Sequence, residues 1–336
     1  MKAWLALSLL VGTASCGQLG GVCEEDCGSS TGGSGNTAGA PGRAIPEGVR
    51  VVAYLATYHG GLSPWASPEF LNRLTHVHVA FPTVSSSGVS FGDPEDVKEF
   101  VAAAHAAGVK VLTSLGGAAG SDQIAAQVQP ATLATLVTHI VAHVEEYGFD
   151  GVDVDIEGDA VNESYGAFVD ALSAELKPRG KLLTAAVANW YQENITDATL
   201  LEFDYIGVMA YDACGAWTDP CDHSTLALAQ DNLSFWVGTR GMPADRTTLG
   251  VPFYGRSWGD PNAPDTIGYG DILSRYPEAW QKDWIEDGAY RLSYNGEATM
   301  RAKVDLAVAH GGIMIWELGN DALGQRSLLR VINDSF

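Results

Sequence analysis

The 336 residues are enough for one large domain, so the size of the core sets no limit. The 19 Lys and Arg against 41 Asp and Glu leave a net charge of −22, which repels phosphate backbones and anionic membrane surfaces. That balance excludes nucleic acid as a partner and leaves a lipid anchor as the only route to a membrane.

The chain opens with "MKAWLALSLLVGTASCG", a single early Lys, a short apolar run and then small residues. That is the pattern of a secretory signal over residues 1–16, too short to span a bilayer. Two outcomes compete: cleavage near Ala14, or lipid attachment at Cys16, because "TASC" is similar to a bacterial lipoprotein box, with Thr13 where a larger aliphatic residue is usual. Residues 17–47 are rich in Gly and Ser and nearly empty of large apolar side chains, so they cannot offset chain entropy and read as a flexible tether. A tether favours lipidation, hence an exported protein on the cell envelope, with secretion as the alternative. Within the tether Cys23 and Cys27 are spaced for a disulfide; no His or further Cys stands nearby to make a zinc site.

From residue 48 onward a single domain is expected to run to residue 336. Short runs rich in Val, Ile, Leu and Phe predict strands at 51–55, 75–81, 109–115, 149–157, 182–188, 205–211, 248–254 and 311–318. Helical patterns alternate with them: Asp93 and Pro94 open one that Gly108 closes, and Pro130 opens another that Gly148 closes. Eight strand-helix repeats predict an α/β chain closed into a (β/α)8 (TIM) barrel. An open dinucleotide-binding sheet is disfavoured, since no glycine fingerprint follows the first strand. The interval 255–310 is longer than one helix needs and predicts a small insertion between strands seven and eight, with a hairpin at 290–296.

The predicted fourth strand, "FDGVDVDIE", carries an unusual load of acid. Side chains alternate along a strand, so Asp153, Asp155 and Glu157 share one face and Val152, Val154 and Ile156 the other. The apolar set packs under helices, and the acids climb the barrel interior toward the end where barrel enzymes keep their active sites. Carboxylates about 7 Å apart on a strand cannot all ionise cheaply, so one proton is shared and one pKa raised, which is how a general acid is kept protonated. Glu157, the topmost, reaches substrate best. Asp150, of opposite parity at the strand's start, reads as structural. A straight strand does not wrap a cation, so no metal and no cofactor is expected.

The stretch "DGVDVDIE" resembles the D-G-x-D-x-D-x-E motif of glycoside hydrolase family 18, the chitinases and their relatives. "SLGG" at 114–117, "MAYD" at 209–212, "PFYGR" at 252–256 and "GGIMIWEL" at 311–318 resemble its third-, sixth-, seventh- and eighth-strand segments. The resemblance implies that Glu157 protonates the glycosidic oxygen, that Asp155 holds the N-acetyl group whose carbonyl oxygen attacks the anomeric carbon, and that Asp153 shares a proton with Asp155. Tyr211 would hydrogen-bond the same acetamido group. A nucleophile inside the substrate gives retention and restricts substrates to 2-acetamido sugars: chitin, chitooligosaccharides or the N-glycan core.

Trp65, Trp190, Trp217, Trp258 and Trp316 fall at or after the ends of predicted strands, where flat aromatics suit the apolar faces of sugar rings. Trp316 is the expected floor of the sugar site, and Trp236 a core residue. Tyr54, Phe81, Met209, Asp212, Tyr254 and Arg256 are candidates for the wall. Cys214 and Cys221 would staple the loop around Trp217. His139 and His143, at i and i+4, read as a helix-surface pair rather than a zinc site. Sequons stand at Asn162, Asn194, Asn232 and Asn333 and matter only in a host that glycosylates. The leading expectation is a monomeric, endo-acting chitinase that binds chitin or N-acetylglucosamine oligosaccharides. The alternatives are an endo-β-N-acetylglucosaminidase acting on N-glycans and a non-catalytic lectin on the same barrel.

Overall fold

The computed structural model describes residues 44–336. The leader, the tether up to residue 43 and the expectations for Cys16, Cys23 and Cys27 lie outside the described residues. Eight parallel strands close a barrel: β1 Arg50–Ala56, β2 His76–Ala80, β3 Lys110–Gly116, β4 Gly151–Asp155, β5 Leu182–Val187, β6 Tyr205–Val208, β7 Thr247–Pro252 and β8 Gly312–Trp316, with β1 pairing both β2 and β8. The expected (β/α)8 barrel is therefore the observed fold. Each strand is buried on both faces, as a parallel sheet under helices requires, which is why the strands read as apolar runs.

Local chemistry sets the helix ends. Asp93 caps the helix Pro94–Ala106 by accepting the Asp96 N–H at 3.2 Å, and Pro94 sits in the first turn, where its missing N–H costs nothing. The helix Leu133–Tyr147 ends at Gly148 in the left-handed region, as predicted, but starts three residues beyond Pro130. Its inner face buries Leu136, Val137, Ile140, Val144 and also His143. The expected surface pair of histidines is thus corrected: His143 faces inward, packs among Phe91, Tyr147 and Phe149, and shares a 3.2 Å hydrogen bond with Thr113. Trp236 is fully buried, as expected.

The insertion between β7 and β8 is a four-stranded antiparallel sheet, ordered Thr266–Gly268, Tyr254–Trp258, Tyr290–Ser293, Trp284–Asp287. Two expectations shift with it. The hairpin runs over residues 284–293 rather than 290–296, and Tyr254 opens the inserted sheet instead of ending β7. β4, β6 and β8 are likewise shorter than expected, because backbone at the barrel mouth turns toward loops and loses its ladder partners.

Candidate active site

β4 delivers the acids as alternation demands. Val152 and Val154 point outward into the helical layer, and Asp153 and Asp155 point into the barrel, all fully buried or nearly so. Glu157 lies two residues past the end of β4, yet its backbone stays extended (φ −121°, ψ 158°), so the parity carries through. Its N–H donates to Ser121 Oγ at 2.9 Å, which ties it to the helix Gly117–Ala125. Gly116 makes this close approach possible. It sits at φ +118°, and a Cβ there would stand 2.2 Å from the Asp155 carbonyl oxygen.

Asp153 is held by strands on both sides and across the barrel. Ser114 and Thr184 lie in register with it on β3 and β5 and donate to it at 2.8 and 2.7 Å. Tyr54 donates from β1 at 2.6 Å, and His78 Nδ1 on β2 stands at 3.4 Å. Burial pushes the Asp153 carboxyl upward, but His78 and these hydrogen bonds outweigh it, and the net effect holds the group below its ordinary range. Among the described residues Asp155 has no such donors. Burial, then the charges of Glu157 and Asp153, push its carboxyl well above the usual range, and its Oδ1 is buried without a hydrogen-bond partner. Glu157 is raised to about 7, first by burial and then by the charge of Asp212. From the bottom, the ladder therefore runs from a carboxyl whose ionised form is favoured, through one whose protonated form is favoured, to one raised to about 7.

A second cluster stands beside it. The residues Met209, Ala210 and Tyr211 follow the end of β6, and Asp212 adopts φ 60°, an uncommon conformation for a non-glycine residue. Tyr254 donates to Asp212 Oδ1 at 2.8 Å, Arg256 clamps both carboxylate oxygens at 2.8 and 2.5 Å, and His223 Nδ1 lies 3.4 Å away. Burial opposes ionisation of Asp212, but His223 and Arg256 prevail and hold it well below the carboxylate range. Tyr211 is buried, and its hydroxyl is pushed well above the usual phenol range by burial and then by Asp155.

The wall residues sort differently from the sequence expectation. Trp316 is half-buried, edge-on to Tyr54 at 5.2 Å and beside the half-buried Phe81 at 5.9 Å. The peptide bonds Ala80–Phe81 and Trp316–Glu317 are cis. Tyr54, Tyr254 and Arg256, expected at the wall, each direct a polar group onto Asp153 or Asp212 and so also hold these acids in place. Met209 is buried. Trp190 and Trp217 are 59% and 57% exposed. Trp65 packs on Phe70, and Trp258 donates to the Gly215 carbonyl and stacks on Trp284, so these two brace loops. Cys214 and Cys221 are joined and close the loop that carries Trp217, over which Arg256 also stacks at 5.2 Å.

Sequence reasoning missed His78, Thr184, Tyr191 and His223. Tyr191 is buried with an unpartnered hydroxyl that feels the charges of Glu157 and Asp155. Asp150 is structural as expected, bridging His105 and the Val111 N–H at 2.8 and 2.7 Å.

Residues 50–321 match the model of the family described as Glycosyl hydrolases family 18. The chain is 33% identical to a GH18 chitinase, ChiB, from Flavobacterium johnsoniae, with a TM-score of 0.76 over 85% of this chain and 93% of that one. It is 26% identical to a chitinase from Bacteroides thetaiotaomicron, again with a TM-score of 0.76, over 85% and 96%. Among curated relatives, the endochitinase of Manduca sexta is 29% identical over 319 residues, 74% of this chain but 57% of the insect protein. The probable chitinase 10 of Drosophila melanogaster is 26% identical over a stretch that spans only 15% of that protein. Because the family match runs unbroken from the first strand of the barrel to beyond the eighth, the chain belongs to glycosyl hydrolases family 18.

Proposed function

We propose that the chain is an exported, endo-acting chitinase that hydrolyses β-1,4-linked N-acetylglucosamine polymers with retention of configuration. The observation that carries this reading is the ladder's geometry: Asp153 held by three hydroxyl donors, Asp155 with a buried oxygen that has no partner among the described residues, and Glu157 above them, raised to about 7 by burial and then by Asp212. A buried polar atom without a partner is costly, and an acetamido N–H or a shared proton would satisfy Asp155 Oδ1. Glu157 gives its proton to the glycosidic oxygen while the substrate's own acetamido carbonyl oxygen bonds to the anomeric carbon and the glycosidic bond breaks. Water then attacks the anomeric carbon from the face the leaving group vacated, giving a proton to Glu157 as the bond to the acetamido oxygen breaks, and retention follows. Tyr211 and Tyr191 carry hydroxyls suited to hold the acetamido group, and Trp316, Phe81, Trp190 and Trp217 offer flat surfaces for sugar rings. The chitinase names of the Flavobacterium and Bacteroides neighbours support the substrate class.

The test is chitohexaose digestion with the anomeric form of the products followed by NMR. Glu157→Gln is expected to lower kcat by about 100-fold or more. Products of inverted configuration, or a fully active Glu157→Gln enzyme, reject the mechanism. Tethering through Cys16 is tested by incorporation of a labelled fatty acid in a bacterial host, with Cys16→Ala expected to release the enzyme from the membrane fraction.

A further inference from the structure

Below the acidic ladder lies a buried pair that the proposed reaction does not use. His78 on β2 is 2% exposed. Its Nε2 shares a 2.9 Å hydrogen bond with the Tyr205 hydroxyl on β6, across the barrel, and its Nδ1 stands 3.4 Å from Asp153 Oδ2. Nδ1 has no hydrogen-bond partner among the described residues, so Asp153 is the group it addresses. The surroundings from each packed element are few. Tyr54 of β1 meets the imidazole edge-on at 4.9 Å, and Tyr205 of β6 stacks on it at 6.1 Å. His76 precedes it on β2, Arg50 of β1 lies over the Tyr205 ring at 4.9 Å, and Asp153 of β4 is the carboxylate among these groups.

The hydroxyls of Tyr54, Ser114 and Thr184 can each donate to a carboxylate or accept from a carboxylic acid, so by themselves they do not choose its charge. Where the Tyr205 hydroxyl donates to Nε2, the imidazole carries its proton on Nδ1, facing Asp153, and a donor held there does choose. We propose, resting on the function proposed above, that His78 and Tyr205 are positioning residues for the hydrolysis. The imidazole, oriented by Tyr205, keeps Asp153 ionised, so that the proton shared within the ladder resides on Asp155, beside the reacting acetamido group.

The test uses full-length protein labelled with 13C at the Asp carboxyls, in His78→Asn and Tyr205→Phe forms, together with the pH profile of kcat on chitohexaose. Asp153 must be ionised, so activity falls as pH drops through its depressed pKa, and weakening that depression moves the acid limb upward. Expected for His78→Asn is a rise of about one pH unit in both the Asp153 titration and the acid limb, with a smaller rise in the same direction for Tyr205→Phe. KM for chitohexaose should stay near wild type. An Asp153 titration and acid limb that do not move, with kcat lowered evenly across pH, overturn the proposal and leave His78 a packing residue. Should His78→Asn fail to fold by circular dichroism, Tyr205→Phe, which keeps the ring, decides alone. A wild-type protein that hydrolyses no chitooligosaccharide would overturn the proposed function, and the carboxyl titration would still decide the role of His78.

Discussion

Glu157 and Asp212 show how one charge tunes another at the mouth of the barrel. The folded pKa of Glu157 is raised to about 7, so the acid is present below that pH and lost as pH rises through it. Asp212 contributes to the rise, and Arg256, His223 and Tyr254 keep Asp212 charged and in place. Asp212→Asn removes that charge and frees the Arg256 cation, both of which favour ionised Glu157. The alkaline limb of the kcat profile should therefore move to lower pH by about one unit, and an unmoved or higher limb would contradict the assignment. Gly116 makes a residue-scale prediction about stability. A Cβ there meets the Asp155 carbonyl at 2.2 Å in a backbone region that L side chains avoid. Gly116→Ala should cost about 3 kcal/mol in urea unfolding and lower kcat, because β4 must move to relieve the clash.

At the scale of elements, the loop after β6 joins three functions. The Cys214–Cys221 bond closes it, Trp217 projects from it, and it leads into His223, which contacts Asp212. Replacing both cysteines by Ser should lower stability by about 2 to 3 kcal/mol, the chain-entropy value for so short a loop. Loosening Trp217 should raise KM for chitohexaose more than it lowers kcat, a split that steady-state kinetics reads directly. The inserted sheet acts on the same loop from behind. Ser293 accepts the His223 N–H at 3.0 Å, and the fully buried Lys303, on the helix Glu297–Val308, donates to the Ser224 carbonyl, Ser224 Oγ and Asn295 Oδ1, each at 2.7 Å. The length of the 255–310 interval announced an insertion; its anchoring of the Asp212 loop depends on contacts between residues some 70 to 80 positions apart, which no local pattern records.

Across the whole molecule, the buried titratable groups pull stability in two directions with pH. Glu157 and Asp321, raised by burial to about 7 and about 6, stabilise fully below their unfolded pKa values, and that contribution is lost as pH rises through the folded ones. Lys303 is lowered by burial from 10.5 to about 7; its contribution is present in full above the unfolded value and is lost as pH falls toward the folded one. Urea midpoints at about pH 5 and about pH 9 should both exceed that at about pH 7. Glu157→Gln should flatten the acidic side, and a steady fall from about pH 5 to about pH 9 would rule out the Lys303 contribution.

Much of this protein was legible in its sequence because period and spacing are local. Alternation on "VDVDIE" fixed which acids share a face, and eight apolar runs between helices fixed the barrel. The same locality explains what stayed hidden. That His78 lies beneath Asp153 and that Tyr54 holds the same acid depend on closing the sheet, which brings side chains from six different strands to one axis; that Tyr254 and Arg256 hold Asp212 depends on the inserted sheet, and that His143 is buried on how its helix packs over the barrel. Which carboxyl is ionised was beyond the sequence for a further reason. Three acids of like chemistry differ only in the donors and charges that neighbours present, and those neighbours exist only once the barrel has closed.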